Sequence, residues 1–96
     1  MKLIYGDCGS GKTKKILELS SNTKTPILCE SEQRKQRLLE KAKGYGISIP
    51  VPIVFSEGCE GRDVLVDDPK RLLEAMLHAN LTGITVNVPE EEVTKL

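Results

Sequence analysis

Eight consecutive residues near the start of the chain combine the residue types that bind phosphate groups. In chain order they are Gly6, Asp7, Cys8, Gly9, Ser10, Gly11, Lys12 and Thr13. Glycines at this spacing let the backbone approach a ligand closely, so that the N–H groups of the loop and of a following helix can surround anionic oxygens. Lys12 could reach the β- and γ-phosphates of a nucleotide, and the Thr13 hydroxyl could ligate Mg²⁺. The pattern therefore predicts a nucleotide-binding loop made of all eight residues.

Two acidic residues, Asp67 and Asp68, follow the apolar run of residues 64–66. A carboxylate at the carboxyl end of a strand can organise the waters of a Mg²⁺ ion opposite Thr13, which makes Asp67 a candidate metal ligand. Asp68 could act as the general base that polarises an attacking water. Alternatively, Asp68 only caps a helix that starts at Pro69, and the sequence leaves both roles open.

Alternating strands and helices must position these residues. Apolar runs predict strands at residues 2–5, 26–29, 63–67 and 84–88, and an edge strand that starts near Ile53. Helices are predicted at residues 14–19, from Ser31 to about residue 43, and from Pro69 to about residue 79. Residues 20–26 read as a turn, residues 63–67 as a fully buried strand, and residues 89–92 as a helical turn. Because such strands pair in parallel with helices on both faces, we expect an α/β fold with three αβα layers. Its mostly parallel sheet would have about five strands, with about three helices.

Composition and charge set limits on the class of protein. The 96 residues predict one domain, residues 1–96, whose core must be aliphatic because the chain has one Phe, two Tyr and no Trp. Fourteen basic residues balance fourteen acidic ones, so the net charge predicts neither a nucleic acid nor a membrane as partner. No apolar run is long enough to cross a bilayer, and the N-terminus does not resemble a signal peptide. Three widely spaced cysteines favour reduced thiols, and we expect a cytoplasmic protein.

The loop has the form of a Walker A motif, and residues 64–68 resemble a Walker B motif, so the chain resembles the P-loop NTPases. Within them it looks most like a minimal core of the helicase-like and RecA-like ATPases, although only the first motif is highly specific. The resemblance implies ATP and Mg²⁺ as cofactors, Lys12 as a catalytic residue and Asp68 as the catalytic base. It also implies that Asn87 senses the γ-phosphate if residues 84–88 form a strand between the strands of the Walker A and Walker B motifs. No Asn/Thr-Lys-x-Asp run follows a strand, so ATP is preferred to GTP.

The function predicted first is ATP binding with weak or partner-stimulated, Mg²⁺-dependent hydrolysis. Slow hydrolysis is expected because Asp68 is one methylene shorter than the Glu that is usual at this position in the family. The alternatives are a non-hydrolysing nucleotide switch and an accessory subunit in DNA replication or recombination. A small nucleotide kinase is less favoured, because no segment is long enough for a lid. The chain has neither a second RecA-like lobe nor an evident arginine finger, which suggests a homo-oligomer or a subunit of a larger ATPase complex.

The predicted second helix is rich in basic residues. Arg34, Arg37 and Lys41 share one side of it by their spacing and could contact the phosphates of DNA or RNA. Glu32 and Glu40 dilute that charge, so an ordinary solvated helix face is favoured over a nucleic-acid contact.

Overall fold

Five short strands and three helices alternate along the chain in a computed structural model that describes residues 1–96. In chain order they are β1 (Leu3–Tyr5), α1 (Lys12–Thr23), β2 (Ile27–Cys29), α2 (Glu32–Gly44), β3 (Ile53–Val54), β4 (Leu65–Val66), α3 (Pro69–Leu77) and β5 (Val93–Lys95). Single 3-10 turns lie at Phe55–Glu57 and Glu90–Glu92. The predicted α/β class, the number of helices and the helical turn at residues 89–92 are confirmed.

All strand pairings are parallel, and the strands form two small sheets. In the first sheet β2 lies between β3 and β4, and in the second β1 pairs with β5. Helix α1 packs against both β1 and β4, so it joins the two sheets. Because α1 packs on β4, the chain that leaves β4 comes close to the start of α1.

The core consists of two aliphatic clusters that meet at β2. Ile27 and Cys29 belong to a cluster with residues of α1 and α2, whereas Leu28 belongs to a cluster with Leu72 of α3. Successive side chains of a strand point to opposite faces of its sheet, so this division puts α1 and α2 on one side of β2 and α3 on the other. Leu17 of α1 is completely buried in the first cluster.

Local signals start α2 and α3 at the predicted residues. The Ser31 side chain accepts a hydrogen bond from the backbone N–H of Arg34 at 3.1 Å, as an N-cap does. Asp68 caps α3 in the same way through the N–H of Arg71, and Pro69 takes the first helical position. Both predicted helix starts are confirmed.

The predicted strand at residues 84–88 is wrong. These residues have no regular structure, and Ile84 is 62% exposed although its apolar, β-branched type favours a buried strand. The place beside β1 is taken by β5, whose Val93 pairs with Leu3 and whose Lys95 pairs with Tyr5. A run of β-branched residues forms a strand only where an edge with unpaired backbone groups accepts it, and this tertiary choice overrode local propensity.

Two further predictions need correction. Residues 20–23 continue α1 instead of turning, because the buried Ser20 hydroxyl donates to the Thr25 carbonyl at 2.6 Å and the Thr23 hydroxyl donates to the Leu19 carbonyl at 2.8 Å. These bonds satisfy the polar side chains that suggested a turn. Strand β4 is only partly buried, not fully, because it pairs with β2 and with no other strand.

Candidate functional site

The loop of residues 6–11 connects β1 directly to α1, and its glycines hold conformations that other residues avoid. Gly9 has φ 80° and Gly11 has φ 93°, both in the left-handed region. At Gly6 a β-carbon would lie 2.6 Å from Ser10 Oγ and 2.8 Å from the Leu96 carbonyl oxygen, so the loop passes too close to its neighbours for any side chain there. The strand, glycine-rich loop and helix therefore follow one another as the sequence predicted.

The first turn of α1 presents free backbone donors to the space above the loop. Gly11 occupies the N-cap position and has no side chain that could accept from them. The N–H groups of Lys12, Thr13 and Lys14 have no acceptor, whereas Lys15 donates to the Gly11 carbonyl. The turn contains no acidic residue and several lysines, the reverse of what the helix dipole favours at this end. An anion bound here would be attracted by both the amides and the lysines.

Lys12 is folded back on its own loop. Its Nζ donates to the Asp7 carbonyl oxygen at 2.5 Å and approaches Ser10 Oγ at 3.4 Å. Both acceptors belong to the predicted phosphate-binding residues, so the ammonium group already lies over the loop. A phosphate oxygen could replace these neutral acceptors with a charged one, which forms a stronger hydrogen bond.

Thr13 and Asp67, which the sequence separates by 54 residues, meet in the structure. Thr13 Oγ1 lies 3.2 Å from Asp67 Oδ2 and 3.5 Å from Oδ1. Asp67 directly follows β4, and Thr13 is the second residue of α1, which packs on that strand. The two predicted metal ligands are therefore neighbours, held together by a direct hydrogen bond.

Arg34 is a site residue that the sequence interpretation missed. Its Nη2 lies 2.6 Å from Asp67 Oδ2, and the two side chains are only 11% and 10% exposed. Arg34 Nε is buried and has no hydrogen-bond partner. The pattern of α2 had grouped Arg34 with Arg37 and Lys41 on one basic face, and nothing in the sequence shows that it turns toward Asp67 instead.

The basic face of α2 therefore carries less free positive charge than the sequence suggested. Arg37 and Lys41 are exposed, but Arg34 is engaged with Asp67. A shallow depression on α2 is lined by Glu32, Gln33, Gln36, Arg37 and Glu40 and has no hydrophobic side chain. The mixture of charges there gives no focused attraction for a polyanion, and nucleic-acid binding stays a prediction.

Asp68 lies beside the site but is occupied by its own helix. Its Oδ1 accepts from the backbone N–H of Arg71 at 3.3 Å, and its Oδ2 lies 3.4 Å from Arg71 Nε. Its φ of 64° is unusual for a residue with a side chain, and it occurs directly after Asp67, where the chain enters α3. The capping role is therefore present, whereas the role of catalytic base stays a prediction.

Asn87 is not brought into the site. It is exposed in the irregular segment 80–89, and its side chain makes no hydrogen bond. The sensing role depended on a strand at residues 84–88, which does not form.

The side-chain oxygen atoms near the loop are of a kind that could bind a magnesium ion carried by a nucleotide. Thr13 and Asp67 supply hard oxygen atoms, the kind that Mg²⁺ prefers. No group of three or more His, Cys, Asp or Glu residues in the chain could hold a metal by itself. The remaining ligands of such an ion would be phosphate oxygens and waters, which is the usual arrangement at phosphate-transfer sites.

The three cysteines are free thiols in different environments. Cys8 is exposed in the loop, Cys59 is half-buried, and Cys29 is buried in β2. Burial raises the pKa of the Cys29 thiol above its ordinary value of 9.0, and its Sγ donates toward the Ser31 and Ile53 carbonyls. Only Cys8 is both exposed and part of the candidate site.

Comparison with protein-family models, with curated proteins and with solved structures gave no match to this chain. None of its three helices is both long and apolar enough to span a bilayer. A function can therefore be assigned only from the loop and from the contacts of Asp67.

Proposed function

We propose that this protein binds ATP together with Mg²⁺ at the loop of residues 6–13. The observation that carries the proposal is the hydrogen bond between Thr13 and Asp67, residues 54 positions apart. A glycine-rich turn that only capped a helix would not require an acidic residue from another strand to contact the threonine that follows the turn. The bond joins the two halves of a phosphate and magnesium site that the sequence predicted separately.

The residues have distinct roles in this proposal. The free amides of the first turn of α1 and the Lys12 ammonium bind the β- and γ-phosphates. Thr13 and Asp67 would hold the Mg²⁺ ion through their side-chain oxygens, and Asp67 accepts a hydrogen bond from Thr13. Such an ion, when bound, would neutralise charge on the phosphates. Asn87 is given no role in this proposal, because the strand on which its sensing role depended does not form.

The finer fold assignment belongs to the same proposal. Helices α1 and α2 share one core cluster with β2, and α3 shares the other, which supports three αβα layers. Helix α1 packs on both β1 and β4, which supports a close placement of the two strands that precede the loop and Asp67, each in its own sheet.

Thermal unfolding in the presence and absence of Mg²⁺-ATP or Mg²⁺-GTP tests the proposal. A ligand that binds only the folded state, at a hundred times its dissociation constant, stabilises it by about 2.7 kcal/mol. For a domain of this size the midpoint should rise by roughly 10 °C or more. Lys12→Ala should abolish the shift, whereas Lys43→Ala, which removes an exposed lysine at the far end of α2, should preserve it. The absence of a shift in the wild type would refute nucleotide binding by this chain alone.

Whether bound ATP is hydrolysed depends on Asp68. Its carboxylate caps α3 and pairs with Arg71, which favours slow hydrolysis or a switch that only binds nucleotide. Single-turnover measurement with radiolabelled ATP separates the two. Release of phosphate that stops in Asp68→Ala but survives in Asp63→Ala would support Asp68 as the base. Intact ATP after many hours would support the switch.

A further inference from the structure

We propose that Arg34 is the counter-ion that keeps a bare divalent cation away from Asp67, so that the cation enters only as its complex with a nucleoside triphosphate. The inference rests on the proposed function, since the nucleotide site is the loop that ends at Thr13. It assigns to Arg34 a part in selecting what the site accepts.

The contacts of Asp67 show how the carboxylate is occupied. Arg34 Nη2 at 2.6 Å and Thr13 Oγ1 at 3.2 Å both meet Oδ2, whereas Oδ1 has only the longer 3.5 Å contact with Thr13. One oxygen is thus held firmly in place, and the other remains available to a metal-bound water. Arg34 fixes the orientation of the carboxylate without covering it completely.

The charges explain the selectivity. Thr13 is neutral, and the positive charge of Arg34 cancels the negative charge of Asp67. Because both side chains are about nine-tenths buried, water screens these charges less than it would on an open surface. A bare dication would therefore meet a neutral ion pair instead of a free carboxylate, and it would gain little attraction from it. The Lys12 ammonium, which lies over the loop, brings a further positive charge that no acidic side chain pairs with.

The small number of metal-ligating side chains also disfavours the binding of a bare cation. The chain offers one carboxylate and one hydroxyl here, and no cluster of three acidic, His or Cys residues anywhere. Mg²⁺ requires about six oxygen ligands, so most must come from elsewhere. A triphosphate supplies both oxygen ligands for the cation and the negative charge that offsets Lys12.

Arg34 makes only one hydrogen bond to Asp67, so the geometry of the pair can change when a ligand binds. The guanidinium meets Asp67 through Nη2 alone, and its buried Nε has no acceptor. A two-bond fork would hold the pair more rigidly than one bond does. Asp67 can therefore share its charge with an incoming cation complex while Arg34 stays beside it.

Binding of Mn²⁺ without nucleotide, followed by the loss of the free-ion EPR signal, tests the inference. Wild type should bind Mn²⁺ weakly, and Arg34→Gln should bind it about tenfold or more tightly, because removing the guanidinium leaves an unneutralised carboxylate. Arg34→Lys, which keeps the charge, should behave as wild type, and so should Arg37→Gln on the exposed face of α2. A folded Arg34→Gln whose Mn²⁺ affinity equals that of wild type would overturn the inference.

Wild type provides a second measurement if Arg34→Gln does not fold. Protein-bound Mn²⁺, measured by equilibrium dialysis with the same analogue concentration on both sides, should rise about tenfold or more when a non-hydrolysable ATP analogue is added, because the phosphates supply ligands and charge. Equally tight Mn²⁺ binding without the analogue would contradict the role of Arg34. Failure of the proposed function gives a different result, namely no thermal stabilisation of wild type by Mg²⁺-ATP.

Discussion

Removing the Asp67 carboxylate should destabilise the folded protein even when no ligand is present. Asp67→Ala leaves the Arg34 guanidinium with no hydrogen bond, since its contact with Asp67 is the only one and its Nε already lacks a partner. Breaking a buried ion pair in this way costs about 3–5 kcal/mol. Because Arg34 keeps some exposure and can move toward water, we expect the lower end, about 3 kcal/mol. That is a large part of the roughly 5–15 kcal/mol that holds a domain folded.

Urea unfolding followed by circular dichroism measures this loss. Asp63→Ala is the matched control, because Asp63 precedes the same strand, is exposed and makes no ion pair. The double variant Arg34→Met/Asp67→Leu should recover most of the stability, since replacing both members of a buried pair by apolar residues is often neutral. A loss below about 1 kcal/mol for Asp67→Ala would refute the reasoning, because it would mean that the pair behaves as a solvent-screened surface pair.

Three further predictions concern the loop and α3. Gly6→Ala should lower the free energy of unfolding by about 1–3 kcal/mol in a urea titration, since its β-carbon would lie 2.8 Å from a backbone oxygen; an unchanged midpoint would mean that the loop moves aside freely. Alkylation followed by mass spectrometry should label the exposed Cys8 much faster than the buried Cys29, and Mg²⁺-ATP should protect Cys8 alone. The hydrogen bond from Lys70, followed by that from the Leu81 N–H, lowers the pKa of Glu74 below its ordinary 4.5. Its stabilising contribution is therefore complete above about pH 4.5 and disappears as the pH falls through the lowered pKa, so Glu74→Gln should lose that part of the acid dependence in unfolding curves.

The parts of the structure that depend on residues close together in the sequence were predicted best. The loop between β1 and α1, the caps Ser31 and Asp68, and the edge strand at Ile53 all follow from short signals, such as glycine spacing, a polar cap or a proline. These signals act over three or four residues, where backbone sterics and a single hydrogen bond decide the conformation. The ends of helices were predicted less well, as the extension of α1 through Thr23 shows.

The sequence by itself determined that a glycine-rich loop lies between a strand and a helix, and that an acidic residue follows a later strand. Only the tertiary structure decided which residues meet that acid. The spacing on α2 is equally compatible with a solvated Arg34, and its contact with Asp67 exists because α2 and β4 both adjoin β2. The partner of β1 was decided in the same way, by β5 instead of residues 84–88. Both outcomes depend on which distant segments come together in the folded chain, and the pattern of neighbouring residues does not record that choice.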